Sequence, residues 1–90
     1  MLDRAIDLKV TLVAATSTKL LASNPSRLYC LIVNDGVADA YLMLGTTAVE
    51  NRGIRLNNGG GSFEINATNP WHGEIHAISE GTPAILITEY

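Results

Sequence analysis

Ninety residues suffice for one small domain, which buries about 60–70% of the surface of its unfolded chain. Apolar residues make up 47% of the chain and charged residues only 17%, so we expect part of the apolar surface to be buried against other chains. The net charge is −3 and the six Lys and Arg residues stand singly, which argues against binding to nucleic acid or, through a basic face, to a membrane.

The amino-terminal stretch predicts an arm followed by a strand. Residues 1–6 carry mixed charges and favour either one helical turn or an extended arm. They lack the basic start and apolar core of a signal peptide, and no apolar run approaches the roughly 18 residues of a membrane span. We therefore expect the protein to be made and assembled in a cytoplasm. In residues 7–14, Leu8, Val10 and Leu12 alternate with more polar positions, which predicts a strand.

A second strand or edge segment is predicted in residues 16–22, and the stretch from Leu28 to Leu44 follows. It holds two apolar runs of strand length on either side of Asp35-Gly36, the strongest short-range indication of a β-hairpin. The first run is apolar on both faces, as is typical of a strand inside a packed core. The sequence predicts a central hairpin that serves the fold and, through its second face, in part the assembly.

Four further strand patterns complete the chain: residues 54–56, 62–65, 71–79 and 84–90. The glycine run of residues 59–61 lacks the Lys-Ser/Thr of a phosphate-binding loop and predicts a mobile hairpin turn. The inward-facing positions predicted for these strands are Ile54, Leu56, Phe63, Ile65, Ile75, Ala77, Ile85 and Ile87. The predicted fold class is therefore all-β: a single small antiparallel β-sandwich or jelly-roll-like barrel of about 6–8 short strands, with residues 1–90 as one domain.

Few residues resemble a chemical site. His72, Glu74 and His76 could share one face of a strand, and their types suit zinc, but same-face neighbours stand nearly 7 Å apart, about twice the rise per residue. The outer two residues cannot share one ion unless the strand bends, and alternation with the inward Ile75 and Ala77 favours an ordinary solvent-facing row. Cys30 lies mid-strand among apolar residues, which predicts a small buried hydrophobe rather than a nucleophile. We predict that the protein is not an enzyme and has no cofactor and no metal.

Five segments carry a resemblance to a known group of proteins: NPSRLYCLIVNDG (24–36), AYLMLG (40–45), GIRLNNGGGSFEI (53–65), GEIHAI (73–78) and GTPAILITE (81–89). Their succession resembles the small β-sandwich structural proteins of tailed bacteriophages, among which head-decoration (cement) proteins are prominent. The resemblance implies a virion protein on the capsid surface, whose partners are the major capsid protein and itself, as a trimer or dimer. A tail, neck or fibre component is the alternative within the same group.

Two kinds of contact surface follow from these expectations. A free sheet edge can extend a neighbour's sheet, and residues 1–14 or 84–90 are the predicted donors. In a binding module, the loops 45–53, 57–61 and 66–72 at one end of the sandwich would instead recognise a carbohydrate or receptor, with Trp71 as the stacking residue. The candidate interface residues are Leu8, Val10, Leu12, Tyr41, Met43, Trp71 and Tyr90.

Overall fold

The computed structural model describes residues 5–90 as two four-stranded antiparallel sheets packed face to face. The strands are β1 (Ile6–Thr11), β2 (Thr18–Leu21), β3 (Cys30–Asn34), β4 (Ala40–Leu44), β5 (Ile54–Leu56), β6 (Ser62–Ile65), β7 (Ile75–Ser79) and β8 (Ala84–Glu89). The first sheet has the order β1-β8-β3-β6 and the second has the order β2-β7-β4-β5. The predicted all-β sandwich is confirmed. Nothing in residues 5–90 is a helix long and apolar enough to span a membrane.

The core lies between the two sheets and is built from alternate strand residues. Ile85 and Ile87 of β8 and Ile75 and Ala77 of β7 are almost fully buried, as their two-residue spacing on one face of each strand predicted. Cys30 is also fully buried, which confirms its interpretation as a small apolar residue. Ile6, assigned from sequence to the arm, is the first residue of β1, while residues 1–4 lie outside the described part.

The predicted hairpin between β3 and β4 is wrong, because the two strands belong to different sheets. Asn34 explains the difference. Its fully buried side chain accepts a hydrogen bond from the Gly36 N–H and donates to the carbonyls of Ala38 at 2.8 Å and Leu56 at 3.1 Å. These bonds direct residues 35–39 out of the first sheet and across to the second, where a hairpin turn would have kept both strands in one sheet.

The glycine run is a second crossing and not the predicted hairpin turn, since β5 and β6 also lie in different sheets. Gly60 donates its N–H to the Asn34 carbonyl, and the Asn34 N–H donates to the Gly61 carbonyl, both at 2.8 Å. The φ of +120° at Gly60 falls in a region that residues with a side chain rarely adopt. The two crossings therefore hold each other at the same end of the sandwich.

The strand order decides which segments can extend a neighbouring sheet. β8 lies between β1 and β3, so both of its edges are already paired and the prediction that residues 84–90 donate a strand is wrong. β1 forms one edge of the first sheet and pairs only with β8 among the described strands. Of the two predicted donors, only the amino-terminal segment contains an edge strand.

Candidate protein-interaction surface

The outer face of the first sheet carries an apolar patch with polar borders. The register places Leu31 beside Thr88, and Val33 beside Leu86, on the side facing away from the core. Leu86 is 36% exposed, and Leu31 and Val33 are half-buried. We call these three residues, Leu31, Val33 and Leu86, the outer patch. On the same face, the edge strands β1 and β6 place polar or charged residues beside the patch: Asp7, Lys9, Ser62 and Glu64.

Two tyrosines extend the outer patch at one end of the sheet. The rings of Tyr29 and Tyr90 stack with centroids 5.0 Å apart, and Tyr90 remains 39% exposed. The Tyr29 hydroxyl donates to a Glu64 carboxylate oxygen at 2.8 Å, and this bond, with some desolvation, raises the pKa of Tyr29 above its ordinary value. An apolar centre with aromatic and charged borders is typical of a protein–protein contact surface.

The edge strand β1 leaves part of its core-facing side uncovered. Leu8 pairs with Ile87 and Val10 with Ile85, so these residues share the face that elsewhere forms the core. Ile6 is nevertheless 56% exposed and Leu8 39% exposed. The second sheet therefore does not cover this end of β1. We call residues 6–10 the open edge.

The structure does not bring the seven predicted interface residues together. Leu8 and Val10 lie on the open edge, and Tyr90 lies beside the outer patch. Tyr41 and Met43 are half-buried on the outer face of the second sheet, where the Tyr41 hydroxyl donates to Asn51 of the loop 45–53. They are therefore on the opposite side of the sandwich from the outer patch.

Two of the seven residues belong largely to the core. Leu12 is 1% exposed, so this chain leaves it no surface for a partner. Trp71 is half-buried and packs against the core, and its indole N–H donates to the Glu74 carbonyl at 3.1 Å. A Cβ at Gly73 would collide with the indole ring, so glycine permits this close approach. Trp71 is thus mainly a packing residue.

The loops of the predicted binding module do not lie at one end of the sandwich. Residues 57–61 precede β6 and residues 66–72 follow it, which places them at opposite ends of that strand. The loop 45–53 starts near the second of these ends and reaches over the second sheet to Tyr41. The prediction of a single loop-built recognition face is therefore wrong.

The residues with metal-binding side chains are engaged with one another or dispersed. His76 Nε2 lies 3.0 Å from Glu74 Oε1, and the Lys19 ammonium lies 3.9 Å from the other Glu74 oxygen. The hydrogen bond with His76 and the charge of Lys19 lower the pKa of Glu74. His72 lies before the start of β7 and is therefore not in line with the side chains on one face of that strand. Within residues 5–90, no three His, Cys, Asp or Glu side chains converge in a geometry that suits a metal ion.

An open acidic cleft of about 340 Å³ lies where the crossing 35–39 meets the loop 45–53 and the end of β7. Its lining includes the carboxylates of Asp39, Glu50 and Glu80. Desolvation, together with repulsion from Glu80, raises the pKa of Glu50, whose buried Oε1 has no hydrogen-bond partner among residues 5–90. The charge of this cleft disfavours anionic ligands.

The buried thiol of Cys30 gives the first testable prediction. Desolvation raises its pKa to about 11, although the Arg27 charge acts in the opposite direction. Because the thiolate is the reactive form, we expect the native thiol at pH 8 to react with a thiol-specific reagent only as fast as the chain unfolds. Reaction followed across a urea series should track the unfolding transition. Rapid labelling in the absence of urea would contradict this expectation.

No protein-family model, curated protein or solved structure matches this chain. The likeness to phage structural proteins thus stays a prediction from the sequence. What can be inferred about function rests on the surfaces of this chain, chiefly the outer patch and the open edge.

Proposed function

We propose that the protein is a non-enzymatic structural protein of a phage virion, which decorates the capsid surface. It binds the major capsid protein, associates with itself and bridges neighbouring capsomers. The observation that carries the proposal is the outer patch: three apolar side chains on central strands, with charged residues on the flanking strands. A broad face of this kind suits contact with another protein surface better than capture of a small molecule.

The proposed mechanism is mechanical. A chain that contacts two capsomers at once must be detached from one of them before they separate, which raises the free energy needed to open the shell under the pressure of packaged DNA. Self-association strengthens the effect, because the second contact becomes intramolecular once the first has formed. Individually weak contacts can then hold a lattice.

A charge introduced into the outer patch should reduce capsid binding without unfolding the chain. We expect Leu86→Glu to lower occupancy strongly when the chain is co-expressed with the major capsid protein of the same genome, since it places a carboxylate in the centre of the contact. Val37→Glu is the matched control, because Val37 is 96% exposed in the crossing 35–39. Occupancy is measured by quantitative mass spectrometry of purified particles, and equal occupancy of both variants would contradict a role for the outer patch.

Copy number separates capsid decoration from the alternatives. A decoration protein should be present in numbers comparable to the major capsid protein, whereas a neck, tail or fibre component is present in few copies. If the chain is found only at the tail, or if Trp71→Ala abolishes adsorption to cells while capsid stability is unchanged, the decoration proposal is overturned. A protein that never co-purifies with particles would overturn the virion assignment altogether.

A further inference from the structure

We propose that the open edge of β1 pairs with the same strand of a second copy, antiparallel and about a two-fold axis at Leu8. The four strands of each first sheet then form one continuous sheet across the dimer. The inference deepens the self-association in the proposed function by naming its surface, its partner and its register. It rests on that proposal only for its biological purpose, since the pairing can be measured in isolated protein.

β1 is the most extended free edge in the described structure. It spans six residues, compared with four in each of the edge strands β2 and β6 and three in β5. One edge of β1 is paired with β8 along its whole length, and no other described strand pairs with the opposite edge. A free edge presents a row of unpaired backbone donors and acceptors, which is a template for pairing with another strand.

The residues of the open edge complement themselves. With the axis at Leu8, this residue faces Leu8 of the second copy, and Ile6 faces Val10. These side chains all lie on the core-facing side, where Ile6 is 56% and Leu8 39% exposed in the single chain. The pairing therefore covers apolar surface that the second sheet leaves open.

Charge complementarity on the opposite face selects the same register. Asp7 then faces Lys9 of the second copy, and the two-fold axis repeats this pair. The Thr88 hydroxyl donates to Asp7 Oδ1 at 2.9 Å, which holds the carboxylate on the outer face beside the edge. Directly opposed unlike charges stabilise a strand pair.

Neighbouring registers are disfavoured for a definite reason. A two-fold axis at Asp7 would oppose two carboxylates, and an axis at Lys9 would oppose two ammonium groups. If the second copy were shifted by one residue, the core-facing side chains of β1 would lie opposite side chains on the outer face of the second copy. Only the axis at Leu8 matches apolar with apolar and negative with positive along the strand.

The dimer has a consequence for the outer patch. Because the two first sheets become continuous, the patches of both copies lie on one side of the same extended sheet. A single dimer could then contact neighbouring capsomers with two equivalent surfaces, as bridging requires.

A pair of charge variants tests the register. Asp7→Lys alone and Lys9→Asp alone each place like charges opposite one another, so each variant should dimerise at least about tenfold more weakly than the natural chain. An equimolar mixture of the two should recover dimerisation, because positive then faces negative in the mixed dimer. Lys19→Asp on β2 is the control: it has the same charge change as Lys9→Asp but lies away from β1, so it should dimerise normally. Sedimentation equilibrium measures the natural chain and these four samples, each as the full chain.

A cross-link tests the axis independently. Leu8→Cys should form a disulfide-linked dimer on mild oxidation, because directly opposed residues on antiparallel strands have Cα atoms about 4.5–5.5 Å apart, which a disulfide can span. Val37→Cys, at a site 96% exposed, controls for random collision, and the buried Cys30 does not interfere.

Three results would overturn the inference: a monomer at all concentrations tested, single charge variants that dimerise normally, or Leu8→Cys that cross-links no faster than Val37→Cys. Open-ended polymers, as head-to-tail pairing of β1 with β6 would produce, would overturn it as well. Monomeric protein that still decorates heads would refute the inference and leave the proposed function standing. Dimers that fail to bind heads would do the reverse.

Discussion

Replacing Arg27 by Met is expected to lower the free energy of unfolding by about 3–5 kcal/mol. Arg27 is 2% exposed, and its Nε donates to a carboxylate oxygen of Glu89 at 2.6 Å. Glu89 is 7% exposed, so removal of the guanidinium leaves a buried negative charge without its partner. The loss of that partner is the main cause of the expected destabilisation.

The remaining guanidinium nitrogens hold together segments that are distant in sequence. One donates to the carbonyls of Trp71 at 2.9 Å and Gly73 at 3.1 Å, and the other donates to the Ala22 carbonyl at 2.9 Å. Arg27 thereby joins the ends of β2 and β8 to the segment before β7. Methionine can replace the apolar stem of Arg27 but none of these hydrogen bonds.

A double variant and a surface variant distinguish the buried charge from other effects. Arg27→Met combined with Glu89→Leu removes both charges and should recover part of the stability lost in Arg27→Met. Arg55→Met should change stability by less than about 1 kcal/mol, because the Arg55 side chain is 60% exposed and its contact with Asp39 is long at 4.0 Å. Urea unfolding gives all three values. A loss in Arg27→Met no larger than in Arg55→Met would contradict the prediction.

Burial along the strands was predictable because it follows a local pattern. Ile75 and Ala77 alternate with the polar Glu74 and His76, Ile85 and Ile87 repeat at the two-residue period of a strand, and all four face the core. The same local pattern does not indicate how much of β1 the second sheet covers. Leu8 and Leu12 both continue the alternation, yet Leu8 is 39% exposed and Leu12 1% exposed.

Strand pairing and the buried ion pair were not predictable because they depend on contacts between distant residues. Asp35-Gly36 has the local composition of a hairpin turn, but Asn34 binds the carbonyl of Leu56, 22 positions along the chain. Arg27 was indistinguishable from the other single basic residues, and its partner Glu89 lies 62 positions away. For the candidate surface, the free edge of β1 depends on the strand order, which no local pattern encodes.

Replacing Asn34 by Ala is expected to lower the free energy of unfolding by about 3 kcal/mol or more, because three hydrogen-bonding groups lose their partner inside the protein. These groups are the N–H of Gly36 and the carbonyls of Ala38 and Leu56. The crossing 35–39 should loosen first, which hydrogen exchange of the Gly36 and Gly60 amides would detect. Asn58→Ala is the control, since the exposed Asn58 amide donates a single hydrogen bond to the described residues, at 3.1 Å to Asp39 across the two crossings, and a similar loss in both variants would contradict the role assigned to Asn34.

Asn34→Asp separates the donated hydrogen bonds from the accepted one. The new carboxyl group keeps the size of the amide and still accepts from the Gly36 N–H, but when ionised it faces two carbonyl oxygens to which it cannot donate. Its pKa in the folded chain should therefore rise above the value of about 3.9 in the unfolded chain, so that the stability deficit grows as the pH increases above about 4. Below that pH the protonated carboxyl can donate to one carbonyl, and the deficit relative to the natural chain should shrink. A deficit that is independent of pH in urea titrations between about pH 3 and pH 7 would show that the two carbonyl contacts do not hold the crossing in place.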